Sequence, residues 1–270
     1  MAEPALLYEK DGGVATLTMN RPEARNAINP EMLCRLADAW QDVSDDSNIR
    51  VAILTGAGDD AFCAGADLDR LVRMMQGLRP PENEFDERIK NDVSLIYKGL
   101  LRNFEVYKPI IAAVKGFCVA GGLEILNCTD IRIASEDAQF GLAEVKWSLF
   151  PMGGSTVRLP RQIPFPIAME IMLTGERMPA AEAHRIGLVN RVVPRSQVMA
   201  EARRYAQIIN ENGPLAVQAV KRSALASLGV PTQQALEKEL EIGIPVSMSE
   251  DAREGTKAFK EKRKPVFKGR

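Results

Sequence analysis

Histidine is nearly absent: His184 is the only one in 270 residues. A metal held by imidazoles, or a nucleophile activated by a histidine, therefore has a single residue to draw on. His184 itself falls in a short amphipathic segment and reads as a surface or packing residue. Cysteine is scarce as well. Cys34, Cys63, Cys118 and Cys128 form no Cys-x-x-Cys pair, and each has small or apolar neighbours. They read as reduced core residues, not as zinc ligands or a redox couple. No apolar run approaches the roughly eighteen residues needed to span a bilayer. The N-terminal residues 1–9 lack a basic stretch followed by an apolar core, so no signal peptide is expected. Neither sign of charge dominates: the formal net charge is −1. Nothing in that balance draws the chain to nucleic acid or to anionic lipid. The expectation is a cytoplasmic protein with no metal, no nucleic-acid partner and no membrane segment.

Apolar residues are plentiful, at 46%, which suits a sizeable core built without disulfides. Residues 14–20 alternate apolar and small polar side chains after Asp11-Gly12-Gly13, a hairpin leading into a strand. Residues 30–43 place Met32, Leu33, Leu36 and Trp40 on one helical stripe. Residues 51–55 form a short apolar strand ending at Gly56, followed by a loop over 57–67. Residues 71–87 contain Gly77, Pro80, Pro81 and several charges, and read as the least ordered stretch and a mobile lid. A helix over 89–104 leads through Pro109 to an apolar strand over 110–114. Residues 116–124 turn into another helix, and 131–134 and 138–140 are short strands. This alternation predicts an α/β fold with partly parallel sheets. From Val198 onward the pattern is helical, which predicts a core over 1–197 and a helical C-terminal region over 198–270.

Two turns carry small residues where a strand gives way to a turn or helix. They are Ala61 to Leu68 and Gly116 to Glu124. Small residues let a ligand approach main-chain N–H groups, and a helix N-terminus adds unpaired N–H groups and a dipole favourable to negative charge. Two such groups meeting at one oxygen would form an oxyanion hole. Each turn alone is more often a packing device. Neither is a phosphate loop or a dinucleotide fingerprint. Glu124 opens a predicted helix and Glu144 follows a strand, and each alone is unremarkable. Facing one apolar pocket together, they would act as base and acid, because burial and a second carboxylate raise a glutamate above its ordinary value near 4.3.

Taken in order, these stretches resemble the crotonase family, the enoyl-CoA hydratases and isomerases. Asn20-Arg21-Pro22-Glu23-Ala24-Arg25-Asn26-Ala27-Ile28-Asn29 is similar to the family's N-terminal segment lining the CoA site. Ala64-Gly65-Ala66-Asp67-Leu68 resembles the first oxyanion-hole motif, and residues 108–124 the second. Residues 140–159, Leu173-Thr174-Gly175-Glu176 with 183–194, and 249–270 complete a resemblance over essentially the whole chain. It implies a ββα-spiral core with a helical C-terminal segment. It also implies an acyl-CoA thioester substrate, no cofactor beyond the CoA that the substrate carries, and a homotrimer or dimer of trimers. Ala66 and Gly121 would donate the oxyanion N–H groups, and Glu124 and Glu144 would be the catalytic glutamates, Glu124 taking the proton of water and Glu144 delivering one to Cα. Arg25, Ala27, Ala64, Asp67, Leu68, Met152 and Lys260 would bind substrate. Met152, Asp69 and Ala120 depart from the pattern, Met152 after Pro151 where glycine or aspartate is usual. Hydration of an enoyl-CoA is the leading expectation because both glutamates are present. Double-bond isomerisation, a non-catalytic binding role and a serine hydrolase using Ser155 stand as alternatives.

Overall fold

The computed structural model describes residues 3–270; residues 1 and 2, with which the reading of the N-terminus begins, lie outside them. The strands in chain order are β1 (Leu6–Asp11), β2 (Val14–Met19), β3 (Val51–Gly56), β4 (Ala61–Cys63), β5 (Ile110–Val114), β6 (Phe117–Val119), β7 (Ile131–Ser135), β8 (Gln139–Gly141), β9 (Met178–Pro179) and β10 (Arg191–Val193). They form a larger sheet, β1-β2-β3-β5-β7-β10, and a smaller one, β4-β6-β8-β9. The β1–β2 hairpin is antiparallel, and the rest of the larger sheet is parallel. Three times in succession a strand of the larger sheet hands the chain to one of the smaller: β3 to β4, β5 to β6, β7 to β8. This is the ββα spiral expected from the sequence. The corner between β5 and β6 demands glycine. Gly116 has φ +60°, and a Cβ there would lie 2.0 Å from the Asp60 carbonyl oxygen.

The helices are α1 (Pro30–Asp45), α2 (Arg73–Met75), α3 (Glu84–Asn91), α4 (Ser94–Gly99), α5 (Gly121–Leu126), α6 (Ser155–Gln162), α7 (Phe165–Thr174), α8 (Ala180–Arg185), α9 (Val198–Asn210), α10 (Pro214–Ala226), α11 (Thr232–Ser247) and α12 (Glu250–Glu261). Asn29 caps α1 by accepting the Met32 N–H, and Pro30 supplies a preset φ at its first position. Its apolar stripe reaches fully buried Trp40, whose indole N–H donates to the Gly99 carbonyl at 3.1 Å and ties α1 to α4.

Strand parity divides the core. Ala52, Leu54, Ala112 and Val114 face the main cluster with α1, whereas Val51, Ile53, Ile111, Ala113 and Ile133 face Val198, Ala202 and Ala206 of α9. Both faces of β3 and β5 are thus covered, as continuous apolar runs in a parallel sheet require. The helical run after Val198 divides by its packing: α9 seals the sheet, while α10 and α11 bury none of their residues.

The structure corrects the reading of residues 71–104. The expected helix over 89–104 is two helices, broken at Asp92, whose carboxylate takes the Ser94 N–H at 3.0 Å. The first of these, α3, starts inside the supposedly disordered stretch, capped by Asn83 on the Phe85 and Asp86 N–H groups. Arg79 pairs with Asp86, which is 1% exposed, and so pins residues 76–83 to the body. A charged segment shows little apolar periodicity, and these polar anchors are silent in the pattern. The loop expected over 57–67 likewise contains β4, too short to announce itself.

Candidate active site

The turn after β4 is built around Asn26, which is fully buried. Its amide donates to the carbonyls of Ala57 and Ala61 at 2.9 and 2.7 Å, and its Oδ1 accepts the Arg21 N–H at 2.9 Å. Arg25 and Asn26 both take left-handed conformations. That bend brings the Arg25 carbonyl to the Ala64 N–H, and Ile28 pairs with Ala66 as an isolated parallel bridge. The bridge uses the N–H groups of Ile28 and Asp67, leaving the Ala66 N–H with no partner among the described residues.

The second turn comes from β6 into α5. Ala120 caps that helix at φ 50°, ψ −126°, a region that costs a non-glycine residue about 1–3 kcal/mol. Gly65, at φ +96°, makes the approach possible, since a Cβ there would lie 2.6 Å from the Ala120 Cβ and 3.2 Å from the Gly121 nitrogen. A Cβ at Gly121 would in turn lie 3.5 Å from the Ala66 nitrogen. As the first residue of α5, Gly121 has no intrahelical acceptor for its N–H. Two unpaired main-chain donors from distant turns therefore stand side by side.

Both border a cavity of about 520 Å³ that Glu124 and Glu144 also line. Glu124 projects from the first turn of α5 and is 5% exposed. Burial, followed by the Glu144 charge, raises its carboxyl to about 7; backbone N–H groups of Ser155, Gly153 and Gly154 oppose that rise. The Ser155 N–H donates to Glu124 Oε1 at 3.4 Å. Gly153 leaves room for the carboxyl, because a Cβ there would lie 2.7 Å from Glu124 Oε2. Glu144 opens a short 3-10 turn after β8. Burial raises its carboxyl too, and its Oε2 is buried without a partner among the described residues. A buried acceptor left unmatched is costly, and a water or substrate held between the two acids would satisfy it.

The remaining wall is apolar. Leu68, Leu71, Val72 and Met75 come from a π-helical turn, Leu68–Val72, and from α2. The Asp67 carbonyl there accepts the N–H groups of both Leu71 and Val72. The stretch expected to be a mobile lid is thus an anchored wall up to Gln76. Ile96, Tyr97 and Leu100 add the α4 side, and Trp147, Phe150 and Met152 stand at the exposed rim. Sequence reasoning missed the α4 residues because it ran them into one long helix, and it did not single out Gly153.

Of the other predicted binding residues, Ala64, Leu68 and Met152 line the cavity, whereas Arg25, Ala27 and Asp67 are not part of its lining. Asp67 is engaged structurally: it caps the Arg70 N–H and pairs with Arg21 at 2.8 Å. Lys260, on α12, lies outside the cavity lining. Ser155 is fully buried, and its Oγ accepts from Asn127 at 3.2 Å. His184 Nδ1 bonds the Val189 carbonyl, so the hydrolase reading loses both its members. Burial pushes the thiols up, Cys63 to about 12 and Cys34 and Cys128 to about 11, as suits inert side chains. Around the C-terminus, Arg263 pairs with Glu254 and Glu261, and Arg270 with Glu250.

A family model described as enoyl-CoA hydratase/isomerase matches residues 9–270. The chain is 46% identical over 267 residues to enoyl-CoA hydratase EchA19 of Mycobacterium tuberculosis, covering 99% of this chain and 97% of that protein. It is 41% identical to (E)-benzylidenesuccinyl-CoA hydratase of Thauera aromatica, covering 97% and 98%. Among solved structures, enoyl-CoA hydratase EchA1 of Mycobacterium marinum superposes with a TM-score of 0.89 at 38% identity, covering 99% of this chain and 100% of that one. An enoyl-CoA hydratase from Bacillus anthracis does so at 0.88 and 35%, covering 98% and 100%.

Proposed function

The chain belongs to the enoyl-CoA hydratase/isomerase family, and from that premise we propose that it adds water reversibly across the 2,3 double bond of an enoyl-CoA. One observation carries the reading: Ala66, Gly121, Glu124 and Glu144 border a single cavity. The thioester oxygen accepts hydrogen bonds from the Ala66 and Gly121 N–H groups. Water sits between the two glutamates. Glu124 takes its proton as the oxygen bonds to Cβ, and the alkene electrons move onto the thioester oxygen as an enolate. The enolate then collapses by taking a proton from Glu144 at Cα. Each oxyanion donor is worth roughly 10²–10³ in rate. Fixed N–H dipoles supply the charge stabilisation, so the chemistry calls for no cofactor beyond the CoA of the substrate.

After one turnover the proton has passed from Glu144 to Glu124. Burial and the Glu144 charge, which raise the Glu124 carboxyl, favour that same placement. Return of the proton to Glu144 through water belongs to each cycle of hydration. In dehydration the resting state is already primed.

Isomerisation needs one carboxylate to move one proton, and the presence of a second in the same cavity favours water chemistry. A pure binding protein would gain nothing from an unpaired buried Glu144. The cavity exceeds what a four-carbon acyl group fills, and its apolar α2 and α4 walls favour bulkier acyl groups. Unburied α10 and α11, with exposed Leu236, Leu240, Ile244 and Met248, support assembly into a homotrimer or a dimer of trimers. Unpaired cysteines support a reducing, cytoplasmic setting. Among the described residues no helix is long and apolar enough to cross a membrane.

The test is loss of the conjugated-thioester absorbance with a panel of enoyl-CoAs from crotonyl to aryl-bearing. Glu124→Gln and Glu144→Gln are each expected to lower kcat by roughly 10²–10⁴. Absence of hydration across the whole panel, with protein that still binds CoA, would reject the proposal.

A further inference from the structure

Ser155 has no place in a hydrolase here, yet two of its atoms reach toward Glu124. Its N–H donates to Glu124 Oε1, and its Oγ accepts the Asn127 side-chain amide at 3.2 Å. Glu124 and Asn127 are three residues apart, on one side of α5. Asn127 closes that helix at φ −62°, ψ −10°, with its N–H still bonded to the Leu123 carbonyl. Ser155 opens α6, and Gly154 before it has no side chain to cap the first turn. Glu124, from another helix, supplies an acceptor there instead.

The clasp between α5 and α6 has more than one point. At the far end of α6, Gln162 donates to the Asn127 carbonyl and accepts from Arg132, both at 2.8 Å. Midway, Arg158 donates to the carbonyls of Leu101 and Arg102, each at 3.1 Å. At the near end the tie is the contact of Asn127 with Ser155. The bond from the Ser155 N–H to Glu124, at 3.4 Å, is longer than most of its kind. A small displacement of the first turn of α6 therefore decides whether it holds.

Packing alone does not call for this pair. Asn127 is 2% exposed and Ser155 fully buried, and Asn127 Oδ1 is buried with no partner among the described residues. Turning the amide over only exchanges which end is unmatched. Apolar side chains at both positions would leave nothing unmatched. The other groups around Glu124 do not duplicate the pair. Glu144 faces it across the cavity as a like charge, and Tyr97 lines the same cavity from α4. Arg158 is engaged by carbonyls, and the Cys128 thiol, pushed up to about 11 by burial, stays protonated.

We propose that Asn127 and Ser155 are a positioning pair for Glu124: their contact sets the first turn of α6 so that the Ser155 N–H holds one carboxylate oxygen and leaves the other for water. The inference rests on the hydratase reading and adds to it two residues, neither of which lines the cavity.

The test is the double variant Asn127→Leu with Ser155→Ala, which removes both partners of a buried contact together. Its urea midpoint should equal or exceed that of wild type. Its kcat for an enoyl-CoA should nevertheless fall about tenfold, with KM changed by less than about twofold, because the donors to the thioester are untouched. The Glu124 carboxyl titration, followed by isotope-edited infrared spectroscopy, should move to higher pH, since a carboxylate that loses an N–H donor is harder to ionise. Ser155→Ala alone should move it the same way, and Ser155→Thr, which keeps the hydroxyl, should leave it where wild type has it. A titration unmoved in both alanine-bearing variants, or a loss of kcat that only follows a loss of stability, would overturn the proposal. The titration shift in a protein that hydrates no enoyl-CoA would instead sink the hydratase reading and leave the pair standing.

Discussion

Glu124 carries a cost that its chemistry explains. Its carboxyl, raised from 4.5 to about 7 by burial and by Glu144, is held in surroundings that disfavour its charge. A raised folded value means that this group's contribution to stability is full below about pH 4.5 and is lost as pH climbs through 7. The difference amounts to about 3 kcal/mol at alkaline pH, on the scale of 1.36 kcal/mol per pH unit. Glu124→Gln, which cannot ionise, should therefore melt higher than wild type at pH 8, with the gap closing by pH 5. Equal melting temperatures at pH 8 would contradict the burial argument. The pair should also titrate together. Removing the opposing charge in Glu144→Gln should move the Glu124 carboxyl titration, followed by isotope-edited infrared spectroscopy, to lower pH. Because the required pair state holds one proton, kcat/KM should decline as pH rises above 7.

At the scale of elements, the site depends on how two turns are bent. Asn26 matters most, since its side chain satisfies two carbonyls and one N–H that would otherwise be buried without partners. Asn26→Ala should cost about 3 kcal/mol or more in urea unfolding, at roughly 1–3 kcal/mol for each of the three groups left without a partner. It should lower kcat as well, because the Ala66 N–H loses its placement. A variant as stable and as active as wild type would show that the turn is held by other means. Much of this architecture was legible in the sequence. The strand–turn–helix signals at Ile110–Val114 and Gly121–Leu126 come from local apolar runs and glycines, and those are strong signals. What stayed hidden was polar and non-local. The Asn83 cap, the Arg79–Asp86 pair and the split of α3 from α4 depend on contacts that a hydrophobic period does not register. Ala120 read as a mild departure, yet it takes a glycine-like conformation and packs its methyl on Gly65.

For the whole molecule, the α10–α11 pair is the feature that a single chain leaves unexplained. Leu236, Leu240 and Ile244 recur every four residues along α11 and are 51%, 61% and 57% exposed. Such a stripe on a helix is a face awaiting a partner. Leu240→Glu should shift sedimentation from an oligomer to the single chain while leaving the far-ultraviolet circular dichroism intact; an unchanged sedimentation coefficient would place the interface elsewhere. The central claim, though, concerns where water goes. The most direct measurement is hydration of an enoyl-CoA in water enriched with oxygen-18, with the product read by mass spectrometry. The account predicts one heavy oxygen at Cβ from wild type, and almost none in the same time from Glu124→Gln or Glu144→Gln. A product in which the double bond has moved without any heavy oxygen, or labelling undiminished in both variants, would contradict it.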